Sequence, residues 1–188
     1  MEGTAAKAEK KEWPIPLVLA VSGLLNEAPG FWFRRVHRLI DAFEVHIKYI
    51  AVLSIADLLD GAGVSEALQE VFLTTLRVPA LGHWVNYTRL ALEAIRSGNQ
   101  EMFVPEVVNY QARVLDNVKH LLSLRNAYAH GATPGEPQCA DDFRSAFPTF
   151  FELLEAAEFL RECDLLVAVD GELLLAMGQR LTSAARSR

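Results

Sequence analysis

The chain has 188 residues, of which 51% are hydrophobic and 22% are charged, values typical of one well-packed globular domain. Its formal net charge of −6 excludes a general electrostatic attraction to nucleic acid or to an anionic membrane, so any phosphate binding must come from a local basic cluster. The two cysteines, Cys139 and Cys163, are too few for a disulfide framework, a CxxC redox pair or a zinc knuckle, which favours a cytoplasmic protein and predicts no metal or other cofactor.

The first segments of the chain are a polar tail and a short apolar run. Residues 1–12 are mostly small or charged, which predicts a disordered tail. Lysines precede the apolar residues 15–25, an arrangement similar to a signal peptide. However, Glu12 and Pro14 interrupt the approach, no cleavage pattern follows, and the run is shorter than the ~20 residues that cross a bilayer. We therefore predict a first helix packed on the body of the domain, and no membrane association.

The middle of the chain has the periodicity of a series of helices. The longest run covers residues 31–59, where apolar side chains recur every three or four positions, as on one face of a long helix. These positions are Val36, Ile40, Phe43, Ile47, Ile50, Ser54 and Leu58. Further helices are predicted at 65–77, with Ser65 as N-cap, and at 83–97, 105–131 and 141–163. The sequence thus predicts an all-α domain over residues 13–163.

The last segment breaks this pattern. Residues 165–178 contain two apolar runs around Asp170-Gly171, a common two-residue hairpin turn. An isolated hairpin is marginal in water, so residues 164–188 either form a hairpin on the bundle or lead, through a linker at 181–188, to a further domain. A final short helix is the alternative, because short apolar runs do not distinguish the two structures.

An arginine occupies an apolar position near the end of the predicted helix 105–131. Counted at about 100° per residue, Arg125 lies near the centre of the apolar arc of that helix. The arc contains Val114, Val118, Leu121, Leu122 and Ala129. An isolated buried charge is costly, so Arg125 needs a carboxylate partner or must line a cleft. Glu44 lies at the edge of the apolar face of the 31–59 helix and is predicted as the structural counter-ion.

Three polar residues extend from this arc toward one side of the helix. Asn126 and His130 lie about 100° and 140° from Arg125, and Lys119 lies on the side of His130. A permanent cation, an amide and a proton carrier near neutral pH are the groups that metal-free phosphodiester cleavage requires. A structural interpretation is also open, because a histidine followed by Gly131 suits a helix C-cap and the negative end of the helix dipole.

The segment "LRNAYAHG", residues 124–131, resembles the Arg-polar-x-x-x-His motif of the HEPN superfamily, the higher eukaryotes and prokaryotes nucleotide-binding domains. By helix order the resemblance covers about residues 31–163. It implies an up-and-down antiparallel helical bundle in which the motif sits late in a long helix, with residues 31–59 and 105–130 supplying the long helices. It also implies a homodimer in which the two copies of the motif face each other.

The activity that the resemblance implies is RNA cleavage without a metal ion. Arg125 would stabilise the charge that develops on the phosphate, His130 would act on the attacking 2′-hydroxyl or the leaving oxygen, and Asn126 would position the groups. Lys119 is predicted to bind substrate. Tyr128 either binds substrate by stacking on a base or packs in the core.

Two functional classes remain open at the level of the sequence. Many proteins of the HEPN superfamily are toxins, paired with an antitoxin, or antiviral defence effectors that act on RNA. Others are non-catalytic modules that dimerise, sense nucleotides or regulate a larger protein. The motif at 125–130 is compatible with both.

Overall fold

The computed structural model describes residues 13–60, 64–77, 79–114, 118–131 and 134–163, and the backbone of 166–169 and 172–175. Within these ranges the protein is all-α, as predicted, with a short hairpin at its end. The helices are α1 (Ile15–Leu25), α2 (Trp32–Asp60), α3 (Glu66–Thr75), α4 (Leu81–Ser97), α5 (Glu106–Val114), α6 (Lys119–Ala129) and α7 (Glu136–Ala156), followed by a 3-10 turn at Glu158–Glu162. The predicted tail, 1–12, and the linker, 181–188, lie outside the described residues.

Helix α2 is the centre of the bundle. All seven positions of its predicted apolar face are buried, and α1, α4 and α7 pack around it. Its first turn is capped by a side chain from α7, because the backbone N–H of Trp32 donates to Glu136 Oε2 at 2.7 Å. The predicted first helix is also confirmed, since α1 packs on α2 through the buried Leu17 and Leu24.

Helix α6 runs antiparallel to α2. Tyr128 lies beside His37, with ring centroids 5.6 Å apart, whereas Arg125 contacts Glu44, farther along α2. Helix α7 then follows the direction of α2, because Trp32 packs near Phe143 and His46 near Phe150. The end of α6 therefore lies near the beginning of α2. This places Arg125 beside Glu44 and Tyr128 beside His37.

Two of the predicted helices have the wrong boundaries. The predicted helix 105–131 consists of two helices, α5 and α6, with residues 115–117 between them outside the described part. The apolar spacing predicts one continuous helix over 105–131, whereas the described residues on either side of 115–117 belong to α5 and α6. The last helix begins at Glu136 rather than near residue 141, because Pro137 occupies its first turn, where proline is well tolerated. It ends at Ala156 instead of residue 163.

The C-terminal segment forms the predicted hairpin rather than the alternative helix. Strands β1 (Leu166–Val169) and β2 (Glu172–Leu175) are antiparallel, with Leu166 opposite Leu175 and Val169 opposite Glu172. The predicted turn, Asp170-Gly171, lies outside the described residues. In the described part of the chain, no helix combines the length and apolar character needed to cross a membrane, and no three His, Cys, Asp or Glu side chains cluster as a metal site.

Candidate functional site

Arg125 and Glu44 join α6 to α2. The Nε–H of Arg125 donates to Glu44 Oε1 at 2.9 Å, and the two side chains are 26% and 23% exposed. The counter-ion predicted from the sequence is therefore present. The bond uses Nε, and Nη1 donates to Asn126 Oδ1 at 3.3 Å. Among the described residues no acceptor contacts Nη2, so this end of the guanidinium remains available.

The position of Arg125 on its helix differs from the predicted one. The buried side of α6 is centred on Leu121 and Tyr128, which are 2% and 7% exposed, whereas Ala129 is exposed. The difference arises within α6 itself: counted from Leu121, Tyr128 lies at about −20° and Ala129 at about 80°, so a buried face that includes Tyr128 instead of Ala129 is centred about 50° from Arg125. Arg125 therefore lies at the edge of the buried face, where its aliphatic stem is covered and its charged group reaches water.

Glu44 has a second cationic partner, Lys48, whose Nζ lies 3.0 Å from Glu44 Oε2. A glutamate four residues before a lysine is a common helical pair, so the sequence contained a signal for it. Burial opposes ionisation of Glu44, but the hydrogen bonds from Arg125 and Lys48 outweigh it, and the pKa of Glu44 is lowered. The site thus contains two cations around one permanently ionised carboxylate at neutral pH.

This arrangement predicts a modest, pH-dependent contribution of Glu44 to stability. We expect Glu44→Gln to lower the free energy of unfolding at pH 7 by about 1 kcal/mol, because the ion pairs are partly exposed. Since folding lowers the pKa of Glu44, this contribution is present above the ordinary carboxyl value of about 4.3 and disappears as the pH falls through the lowered value. Urea unfolding at pH 7 and at pH 3 measures the difference between the variant and the wild type.

Asp41→Asn is the matched control, because Asp41 lies one turn earlier on α2, is 63% exposed and is 3.9 Å from Arg38. It should change stability by less than about 0.5 kcal/mol. A loss of several kcal/mol in Glu44→Gln, or an equal loss at both pH values, would show that the ion pair is not what the carboxylate provides.

Asn126, His130 and Lys119 are all exposed on α6. His130 is the C-cap, where its backbone N–H donates to the carbonyl of Asn126 at 3.1 Å. Gly131 follows with φ +87°, a left-handed conformation that favours glycine and ends the helix. The imidazole of His130 therefore projects from the end of the helix that carries Arg125, and substituting it leaves the buried face of α6 unchanged.

Tyr128 packs in the core, the second of the two roles left open by the sequence. It is 7% exposed, and its hydroxyl donates to Asp142 Oδ2 of α7 at 2.9 Å. In this conformation its ring faces other protein groups and is not available to stack on a base, so the predicted substrate-binding role is corrected to a structural one. Asp142 was missed in the sequence because helix spacing does not predict contacts between helices.

His37 and Phe33, on the first turns of α2, are neighbours of the site that the motif does not include. Their rings are 4.5 Å apart, and His37 meets Tyr128 edge-on. Phe33 is 38% exposed. Nothing in the spacing of 125–130 indicates them, because they reach the end of α6 through the antiparallel packing of the two helices.

Comparisons of the chain with models of protein families, with characterised proteins and with solved structures give no match.

Proposed function

We propose that the protein is a HEPN-like ribonuclease that cleaves RNA without a metal ion. The observation that carries this proposal is the arrangement of Arg125 and His130 on α6. Glu44 fixes Arg125 through Nε and Asn126 accepts from Nη1, which leaves the N–H groups of Nη2 for an anion, and the exposed His130 ends the same helix. A guanidinium oriented by a carboxylate is suited to bind a phosphate oxygen through two of its N–H groups.

The proposed chemistry is an attack within the RNA chain. A base removes the proton from a 2′-hydroxyl, the 2′-oxygen bonds to the adjacent phosphorus, and the bond from phosphorus to the 5′-oxygen breaks. An acid returns a proton to this leaving oxygen, so that the products end in a cyclic phosphate and a 5′-hydroxyl. His130 performs one of these proton transfers, Arg125 stabilises the charge on the phosphate, and Asn126 positions the groups.

We further propose that the active form is a homodimer. Facing motifs would bring a second histidine to the same phosphate, so that one copy acts as base and the other as acid. Light scattering at tens of micromolar is expected to give the mass of a dimer. A monomer at that concentration, typical of weak self-association, would contradict the composite site. A toxin with an antitoxin, or a defence effector, is the biological role that fits such an activity.

A non-catalytic module that dimerises, senses nucleotides or regulates a larger protein is the second candidate. The specific observation that favours it is the Arg125–Glu44 ion pair itself, which links two helices within one chain. Such an ion pair holds two helices together, so Arg125 can have a structural role without taking part in catalysis.

Cleavage of single-stranded RNA in excess EDTA, compared between the wild type and His130→Ala, distinguishes the two candidates. Cyclic-phosphate and 5′-hydroxyl ends from the wild type support the ribonuclease. An intact dimer that cleaves no RNA from a diverse set supports the module.

A further inference from the structure

A second polar surface lies outside the Arg125 site, in a groove of about 500 Å³ between α4, α5 and α6. Its polar lining consists of Asn86, Arg89, Arg96, Gln111 and Lys119, beside apolar side chains such as Leu122. None of the described residues that line it is acidic. In a chain with a net charge of −6, a concave surface whose described lining has three cations and no carboxylate is a local field for an anion.

The cations of this groove are not all neutralised by the protein. Arg89 is engaged, because Nη1 contacts Glu93 Oε1 at 3.1 Å and Nη2 donates to Asn86 Oδ1 at 2.8 Å. Arg96 and Lys119 form no ion pair with the described residues, and both are exposed. Two positive charges from different helices therefore line one groove without a hydrogen-bond acceptor among the described residues.

The groove also contains an unsatisfied amide. The Oε1 atom of Gln111 is buried and has no hydrogen-bond partner in the described part of the chain. A buried polar atom without a partner costs free energy, which a ligand recovers when the side chain turns its amide into the groove. Amide groups beside apolar side chains such as Leu122 suit a nucleobase, which presents both hydrogen-bonding edges and an apolar face.

The groove and the Arg125 site are connected along α6. At about 100° per residue, Lys119, Asn126 and His130 lie within roughly 40° of each other on its exposed side. Lys119 and His130 are separated by about 16 Å along the helix axis, at about 1.5 Å per residue. An anionic chain that leaves the groove at Lys119 therefore passes Asn126 before it reaches His130.

From this continuity we infer that the groove binds the phosphates of a single-stranded ribonucleotide chain whose scissile phosphate lies at Arg125 and His130. Arg96 and Lys119 contact phosphates, and Asn86 and Gln111 contact the sugar or base edges. The inference rests on the proposed function for the identity of the ligand. It extends the site from a single phosphate to a strand of several nucleotides.

The test measures RNA binding and not cleavage. A short fluorescent single-stranded oligoribonucleotide is titrated in EDTA over a range of salt concentrations, with His130→Ala as the background that prevents cleavage. Arg96→Ala and Lys119→Ala are made singly and together. Each is expected to weaken binding and to make the slope of log K against log salt shallower by about 0.7, and the pair by about 1.4.

Arg77→Ala is the matched control, because Arg77 is an exposed cation after α3 and lies outside the groove lining. It should leave the slope unchanged. Unchanged slopes in the groove variants, or an equal change in Arg77→Ala, would overturn the inference. Competition with ATP and with inorganic phosphate identifies the ligand. If ATP binds as tightly as the oligonucleotide and loses as much affinity in the variants, the groove is a site for a free nucleotide. The inference that it binds an RNA strand is then overturned.

The outcome is separable from that of the proposed function. If the wild type binds RNA, the groove variants bind it more weakly, and the wild type cleaves no RNA, the ribonuclease proposal is rejected and the RNA-binding role of the groove is supported. If the wild type cleaves RNA but the groove variants bind RNA as tightly as the wild type, the ribonuclease proposal is supported and the RNA-binding role of the groove is rejected.

Discussion

His130→Ala is expected to abolish metal-free RNA cleavage while the fold and the dimer persist. General acid-base groups contribute roughly a hundred- to ten-thousand-fold in rate. The same substitution removes an exposed side chain at the end of α6, where dipole and cap interactions contribute at most about 2 kcal/mol. Denaturing gels of RNA fragments in excess EDTA measure cleavage, and circular dichroism with light scattering verifies that structure and mass are unchanged.

His120→Ala is the control, because His120 is an exposed histidine on the same helix. This variant should cleave RNA as fast as the wild type does. Cleavage that appears only with added metal indicates a contaminant or another mechanism. If His130→Ala cleaves as fast as the wild type, the ribonuclease proposal fails and the non-catalytic module replaces it.

The ion pair of Glu44 makes Arg125→Ala a useful companion variant. The sequence alone suggests that removing Arg125 leaves Glu44 as an unpaired buried charge, which costs several kcal/mol. The structure shows instead that Lys48 still binds Glu44 and that the carboxylate is 23% exposed. The fold should therefore survive the substitution, and a loss of cleavage in Arg125→Ala would report on chemistry and not on unfolding.

The sequence predicted elements that depend on local chemistry. All seven positions predicted for the apolar face of α2 are buried because they recur at helical spacing and enter one core, although the buried side of α2 also includes residues such as Leu39 and His46. Ser65 was predicted as an N-cap, and its Oγ accepts from the N–H of Leu68 at 3.4 Å. In each case the signal and its structural effect lie within one helix.

The features that the sequence left open or missed depend on how the helices meet. The role of Tyr128 is decided by Asp142 and by His37, which belong to two other helices. The basic groove unites residues of α4 and α6 that are more than twenty positions apart, and no spacing rule brings them together. Neither a motif at 125–130 nor helical periodicity contains this information, because it arises from tertiary packing.

A second large effect is expected from His46, which no motif indicates. His46 is completely buried, and its Nε2 lies 2.8 Å from the hydroxyl of Tyr110 on α5. Its Nδ1 has no partner among the described residues. Burial lowers the pKa of His46 from 6.5 to about 3, because the imidazolium ion would lose its hydration without gaining a counter-ion.

We therefore expect the protein to lose stability in mild acid through His46. Below about pH 6.5 the unfolded chain binds a proton at this residue and the folded chain does not, so the free energy of unfolding falls by up to about 1.4 kcal/mol for each pH unit. The loss continues until the pH reaches the folded value. In wild-type protein, the ring resonances of His46 should not titrate between pH 8 and about 4.5 in NMR spectra, well below the ordinary range.

His46→Gln separates this effect from other acid-sensitive groups, because an amide cannot be protonated in this range but can still exchange a hydrogen bond with Tyr110. Between pH 6.5 and pH 4.5 the free energy of unfolding of this variant should fall less than that of the wild type. The difference between the two decreases is up to about 3 kcal/mol. His120→Gln, at an exposed site, should retain the wild-type slope. A His46 resonance that titrates near pH 6.5 would show that water or a counter-ion reaches the ring. The contact between His46 on α2 and Tyr110 on α5 would then be open to solvent, contrary to the complete burial of the His46 ring.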